Sequence, residues 1–221
     1  MPLSDEDVRE ILRIIDSSQL REIRVETDGF SLHVVKDAVV CAGIEQKSFL
    51  EKWQEAGVEL SDGNLEHVKK AFDLYYDFDY DLAVRDMEDT WRYLAALPES
   101  NGKVGAVGYC LGGKLCYLMC CRTDIDCTVA YYGTYIEHNI REVGNLHWPF
   151  VLHMAMKDRW VQAEVNDLLE RRLAPNPLVT IHKYPGADHA FARHGGKTYS
   201  KPEADRALAL TLDFFRKHLA S

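Results

Sequence analysis

Three side chains far apart in the sequence have the types that acyl transfer needs: Cys110, Asp158 and His189. Cys110 lies in Gly108-Tyr109-Cys110-Leu111-Gly112, after the apolar run Val104 to Val107. A helix-compatible segment follows through Leu115, Leu118 and Met119. The pattern is a strand, a sharp turn with one nucleophile at its tip, and a helix. Glycines at 108 and 112 suit a turn in which residue 110 is strained and strand and helix nearly touch, so a Cβ on either is expected to clash. Alone, the stretch equally describes a Gly-rich turn around a buried free thiol. Asp158 could simply cap a helix starting near Trp160. His189 is one of nine histidines and could be a surface loop residue. Asp188 is the rival acid, but it is badly placed to orient the ring of the residue next to it. The chain order of nucleophile, acid and histidine makes the three a candidate triad, with a thiol to attack, an imidazole to move the proton and a carboxylate to hold the imidazole.

Such a triad needs a scaffold that brings distant turns to one edge. Residues 5–17 carry Val8, Ile11, Leu12 and Ile15 at helical spacing, with Ser4 as N-cap. Alternating runs Ile23–Thr27 and Phe30–Val35 flank Asp28-Gly29, a hairpin signal. Ala38 to Ile44 reads as a buried strand, followed by a helix from Lys47 to Ala56 and a brief strand from Val58 to Leu60. The segment 64–76 shows Leu65, Val68, Phe72 and Tyr75 at helical spacing. In 80–97, the residues Leu82, Val84, Met87, Trp91 and Leu94 form an inner stripe that stops at Pro98. Further strands are expected at Thr128–Tyr132, Phe150–Met154 and Leu178–Tyr184, and helices at Val161–Ala174 and Glu203–Leu219. Alternating strands and helices specify a mostly parallel central sheet with helices on both faces. In such a sheet functional groups collect at the carboxyl ends of strands. Asp158 and His189 each fall just past one.

The length of 221 residues suits one domain over 1–221, with residues 1–36 forming an N-terminal helix plus hairpin. A net charge of −9 argues against a nucleic-acid partner, because phosphate binding needs a basic face. No apolar run reaches membrane-spanning length, and Ser4-Asp5-Glu6-Asp7 is unlike a signal peptide. The six cysteines lack the paired spacing of a zinc site, so a reducing, cytoplasmic setting is expected. Cys116, Cys120, Cys121 and Cys127 are then small core residues. No metal or cofactor is indicated, since protein groups supply the nucleophile, base and oxyanion donors. Glutamine amidotransferases share the Gly-x-Cys-x-Gly turn, but carry a glutamate where Phe191 stands.

The stretches Gly102 to Gly113, Tyr131-Tyr132-Gly133, His153-Met154 and Ala187-Asp188-His189-Ala190-Phe191-Ala192-Arg193 resemble the dienelactone hydrolase family, also called carboxymethylenebutenolidases. The similarity runs from about residue 71 to the C-terminus and is thin before it. It implies an α/β-hydrolase fold and the opening of a cyclic enol lactone through a thioester on Cys110. It also implies that Glu45 interacts with the thiol, and that the N–H groups of Leu111 and Gln46 form the oxyanion hole. Glu45 reads equally well as a carboxylate at a helix N-terminus. Arg193 corresponds to one of two family arginines that clamp the substrate carboxylate. The other position falls at Val68, which cannot pair with an anion. Phe72, Tyr76 and Phe78 could wall an apolar pocket or be plain core.

The expectation is therefore a monomeric hydrolase taking a small lactone or ester, with an open-chain keto acid such as maleylacetate as product. A broader carboxylesterase or lactonase, a binding domain without catalysis, and a thiol redox sensor are the alternatives. The sensor needs a disulfide such as Cys110–Cys116, which helical geometry disfavours.

Overall fold

The computed structural model describes residues 22–27, 30–35, 38–41, 66, 69–70, 75, 77–98 and 100–220. The expected helices at 5–17 and 47–56, the strand at 58–60, and Glu45, Gln46, Val68, Phe72 and Tyr76 lie outside these residues. Of the 64–76 segment, Glu66, Lys69, Lys70 and Tyr75 are described and helical.

Strands β1 (Glu22–Thr27) and β2 (Phe30–Val35) pair antiparallel with Thr27 opposite Phe30. That register follows from strands joined through two residues. β3 (Ala38–Cys41) adds antiparallel to β2. Then come α1 (Tyr80–Ala95), β4 (Gly105–Tyr109), α2 (Leu111–Arg122) and β5 (Cys127–Tyr131). A 3-10 segment (Ile136–Asn145), β6 (Phe150–Ala155), α3 (Ala163–Leu173), β7 (Val179–Tyr184) and α4 (Lys201–Leu219) complete the order. The sheet runs β1 to β7 in sequence, and the strands from β3 to β7 are parallel.

Every residue of β5 and β6 is buried, as expected of parallel strands covered on both faces. Their alternation sorts the core into two halves. Ala130, Phe150, Leu152 and Met154 pack with α2 and with Leu169 and Leu173 of α3. Cys127, Val129, Tyr131, Val151 and Ala155 pack with Ala207, Phe215 and Leu219 of α4. On the α4 side, His153 is fully buried, with Nδ1 2.8 Å from the Tyr184 hydroxyl and Nε2 3.0 Å from Thr211 Oγ1. Burial, with smaller pushes from His182 and Arg206, lowers its pKa to about 3, so the ring is neutral and ties β6, β7 and α4 together.

Several expectations are corrected. Leu82 is exposed and Ala83 takes its place on the inner face of α1. Leu82 is two residues from Val84, some 200° around a helix, whereas Val84, Met87 and Trp91 follow the three-and-four spacing of one face. The β5 strand ends at Tyr131, because Tyr132 takes a φ of 39° and leaves extended geometry. The 3-10 segment was not expected; its Ile136 and Ile140 close over α2. The four cysteines at 116, 120, 121 and 127 are buried, as expected.

The glycines divide differently from expectation. A Cβ at Gly108 would overlap the Gly112 carbonyl, but one at Gly112 itself would meet nothing within 4 Å. The second close approach is at Gly113, where a Cβ would stand 2.8 Å from Gly133 Cα and 3.1 Å from the Tyr131 carbonyl oxygen. Both obstacles are backbone and cannot rotate away. Gly113→Ala should therefore destabilise by about 1–3 kcal/mol, whereas Gly112→Ala, a helical position with open space, should be neutral or stabilising by up to ~1 kcal/mol. Thermal melts of the two variants decide it; equal melting temperatures would contradict this reading of the elbow.

Candidate active site

Cys110 leaves β4 and precedes α2 with φ 55° and ψ −115°. A side chain seldom adopts such a backbone, which costs roughly 1–3 kcal/mol unless neighbours enforce it. Here its N–H donates to the Tyr131 carbonyl at 3.0 Å. Its carbonyl accepts from Gly113 at 3.0 Å and from Thr134 at 3.3 Å. Tyr132 and Ala190 also have positive φ, at 39° and 61°, so strain gathers around one point. The turn lifts the thiol to the carboxyl edge of the sheet, half-buried.

Asp158 and His189 reach the same edge from β6 and β7. The Lys157 N–H donates to the Ala187 carbonyl at 2.9 Å and joins the two turns. Asp158 Oδ2 is 2.8 Å from His189 Nδ1. Its other oxygen, Oδ1, accepts from the Trp160 N–H at 2.8 Å and the Val161 N–H at 3.2 Å. The expected capping of a helix by Asp158 is corrected: the N-cap is Gln162, and Asp158 Oδ1 closes a turn ahead of the helix instead. The helix starts later than expected, at Ala163, because these N–H groups close a separate turn first. Asp188 is occupied elsewhere, 3.0 Å from Arg159 Nε, and does not compete for the ring.

With Nδ1 on the carboxylate, Nε2 is the edge of His189 left for the thiol, and the two groups are coupled. The Tyr132 ring stands edge-on to the imidazole at 4.9 Å and Phe191 packs behind it, which restrains the ring plane. Burial disfavours the imidazolium, but the Asp158 hydrogen bond and the nearby sulfur outweigh it and raise the His189 pKa to about 9. Burial likewise opposes the thiolate, yet the hydrogen bond and charge of His189, with help from Thr134 and the Leu111 N–H, bring Cys110 below the ordinary thiol value. The other thiols go the opposite way: burial pushes Cys120 and Cys121 up to about 12. Among the thiols of Cys110, Cys116, Cys120, Cys121 and Cys127, Cys110 alone is shifted toward the reactive thiolate.

Of the remaining expected residues, Leu111 opens α2 with its N–H toward the sulfur. Arg193 is exposed in the turn after His189, near enough for its charge to act on Tyr132. Glu45, Gln46, Phe72 and Tyr76 are not among the described residues. Two groups were missed. Thr134 Oγ1 is 3.9 Å from the Cys110 sulfur, and Tyr75 Oη is 3.2 Å from Thr134 Oγ1. Thr134 directly follows Tyr131-Tyr132-Gly133 past a strand's carboxyl end, which was the available signal. Tyr75 was hidden as one more apolar residue at helical spacing.

A parallel sheet with a strained cysteine elbow and a carboxylate-bound histidine defines the class as α/β-hydrolase. The sequence profile of the dienelactone hydrolase family matches residues 61–219, and the chain belongs to that family. It is similar to the carboxymethylenebutenolidase of Pseudomonas putida, with 36% identity over 73% of this chain and 68% of that one. It is also similar to carboxymethylenebutenolidase 1 of Cupriavidus pinatubonensis, with 35% identity over 73% and 69%. Among solved structures, a dienelactone hydrolase-like promiscuous phosphotriesterase from metagenomic libraries superposes with a TM-score of 0.56. That match covers 98% of this chain and 82% of the other at 17% identity, and bears on the fold alone. The protein is thus a hydrolase of ester or lactone bonds.

The two aspartates should separate cleanly by NMR titration. Asp158→Asn should lower the His189 pKa from about 9 toward the ordinary value near ~6.5, while Asp188→Asn leaves it within a few tenths of a unit. An unmoved His189 titration in Asp158→Asn would remove the carboxylate from its assigned place.

Proposed function

We propose that the protein opens a cyclic enol lactone of the dienelactone kind to an open-chain keto acid such as maleylacetate, with Cys110 as nucleophile. The observation that carries the proposal is the row of Asp158, His189 and a thiol of lowered pKa at the carboxyl edge of the sheet, past β6, β7 and β4. In this reading the thiolate adds to the lactone carbonyl carbon and the carbonyl π pair moves onto oxygen. The Leu111 N–H donates to that oxyanion, and Gln46 supplies the second N–H. Collapse breaks the ring C–O bond. The leaving enolate takes the His189 proton and tautomerises to the ketone. Water then loses a proton to neutral His189 and adds to the thioester. The C–S bond breaks, sulfur departs as thiolate and the carboxylic acid is released.

Asp158 keeps the Nδ1–H tautomer and stabilises the imidazolium that forms. By the family resemblance Glu45 acts on the thiol and Arg193 pairs with a substrate carboxylate; Phe72 and Tyr76, aromatic residues close in sequence, serve as an apolar pocket wall. The partner is a small lactone or ester, not nucleic acid or a membrane. Among the described residues no helix is long and apolar enough to cross a membrane. The whole of 1–221 acts as one domain and as a monomer, in the cytoplasm, a setting that the free thiols support. A broader carboxylesterase or lactonase is the second reading, favoured by Val68 where a carboxylate clamp would need a cation.

Cys110→Ala should lower turnover by about ten-thousand-fold or more, and a rapid quench of the native protein with dienelactone should yield an acyl adduct on Cys110 by mass spectrometry. The rate should fall as pH rises past about 9, because His189 then loses the proton it must donate. Turnover of aryl esters without dienelactone would shift the assignment to the broader esterase. Iodoacetamide labelling of Cys110 no faster than a free thiol would instead favour a binding domain.

A further inference from the structure

Thr134 and Tyr75 have no task in the mechanism above, yet they meet at its reacting atom. Thr134 is 4% exposed and lies just past β5, where its N–H donates to the Cys110 carbonyl at 3.3 Å. The same residue therefore holds the strained elbow by its backbone and faces the sulfur with its hydroxyl. Tyr75 comes from a helical segment before α1, and its hydroxyl also meets that of Tyr80, the first residue of α1. Three hydroxyls, those of Thr134, Tyr75 and Tyr80, are thus linked in sequence leading away from the thiol.

We propose that Thr134 is a positioning residue for the Cys110 nucleophile, its hydroxyl donating to the thiolate while Tyr75 donates to Thr134 Oγ1. The direction follows from valence. A thiolate can only accept, so the single Thr134 proton points to sulfur and leaves the Oγ1 lone pairs for the Tyr75 proton. Tyr80 adjoins the Tyr75 hydroxyl, and hydrogen bonds linked in such a chain polarise one another. The nucleophile's other side-chain hydrogen bond is to the imidazolium. The sulfur therefore has a charged donor and a neutral one, and its lone pairs keep their aim through attack and departure. Releasing sulfur from a tetrahedral intermediate restores the negative charge that the hydroxyl was set to meet, so the contact assists both halves of the reaction. The inference rests on Cys110 being the nucleophile, but it can be tested without turnover.

Among the described residues the titratable groups near the sulfur are His189 after β7, Tyr132 after β5, and Tyr75 and Tyr80 ahead of and within α1; Glu45, assigned to the thiol by the family resemblance, lies outside them. Burial raises all three phenols, so they stay protonated donors through the pH range in which the thiol titrates. The measurement is the pH profile of Cys110 alkylation by iodoacetamide on the full chain, with melting temperature read in parallel. Thr134→Val, which keeps shape and removes the proton, should move the midpoint up by about one unit, close to ten-fold less labelling at the acid foot. Thr134→Ser should restore it, and Tyr75→Phe should shift it the same way by less. A Thr134→Val profile that superposes on the native one overturns the proposal, even if the melting temperature falls, because that is the mark of packing alone. Should Thr134→Val not fold, Tyr75→Phe decides, and an unshifted profile there is equally fatal. His189→Ala separates the two readings. If it too leaves the profile unchanged, the triad has failed, and the hydroxyl chain with it; if only the threonine and tyrosine variants are silent, the triad stands and the chain falls.

Discussion

The contact on which the site depends is the one between Asp158 Oδ2 and His189 Nδ1. It makes three choices at once. It selects the tautomer with Nε2 toward the thiol, it holds the ring in one orientation, and it offsets the burial that would otherwise drive the imidazole neutral. The thiol inherits the result, because a persistent imidazolium is the largest favourable influence on its thiolate. The carboxylate can act so only because its other oxygen is committed to two backbone N–H groups. A carboxylate pinned at both oxygens cannot swing toward solvent.

Around that contact the scaffold exchanges local comfort for placement. Cys110, Tyr132 and Ala190 all adopt positive φ without glycine's freedom. Cys110 and Tyr132 lie directly past β4 and β5, and Ala190 directly follows His189, where the chain must turn sharply to present a group at the edge of the sheet. The strain persists because the surroundings over-determine it: the Cys110 peptide is bonded on both sides, and Gly108, Gly113 and Gly133 let backbones approach where any Cβ would intrude. Burial then differentiates the sulfurs. The same low dielectric that silences Cys120 and Cys121 leaves Cys110 reactive, since the hydrogen bond and charge of His189 outweigh burial there, whereas the charge of Arg122 near Cys121 does not.

The parallel β5–β6–β7 unit supplies the rigidity. Its two fully buried strands, β5 and β6, carry α2 and α3 on one face and α4 on the other. The neutral His153 stitches the α4 side with two hydrogen bonds where an apolar residue would make none. The acid and the histidine thus stand in the turns that follow neighbouring strands, whose register, Ala155 opposite Tyr184, is set before either side chain is considered.

The sequence alone determined the parallel sheet, the hairpin of β1 and β2, the cysteine elbow and the order Cys110, Asp158, His189. Each is written in local pattern: apolar runs, an Asp-Gly pair, glycines at a turn, polar residues after strands. The division of labour at Asp158 was beyond it, because which oxygen meets which donor depends on the path of residues 158–161 in space. So was the role of Gly113 over Gly112, since a close approach between segments leaves no trace in spacing. Thr134 and Tyr75 belong to the same class, being 59 residues apart and ordinary in their own neighbourhoods. Periodicity reports which face of an element is apolar. Only the packing of elements decides which polar atoms share a point, because hydrogen bonds act over about 3 Å while sequence patterns carry no distances at all.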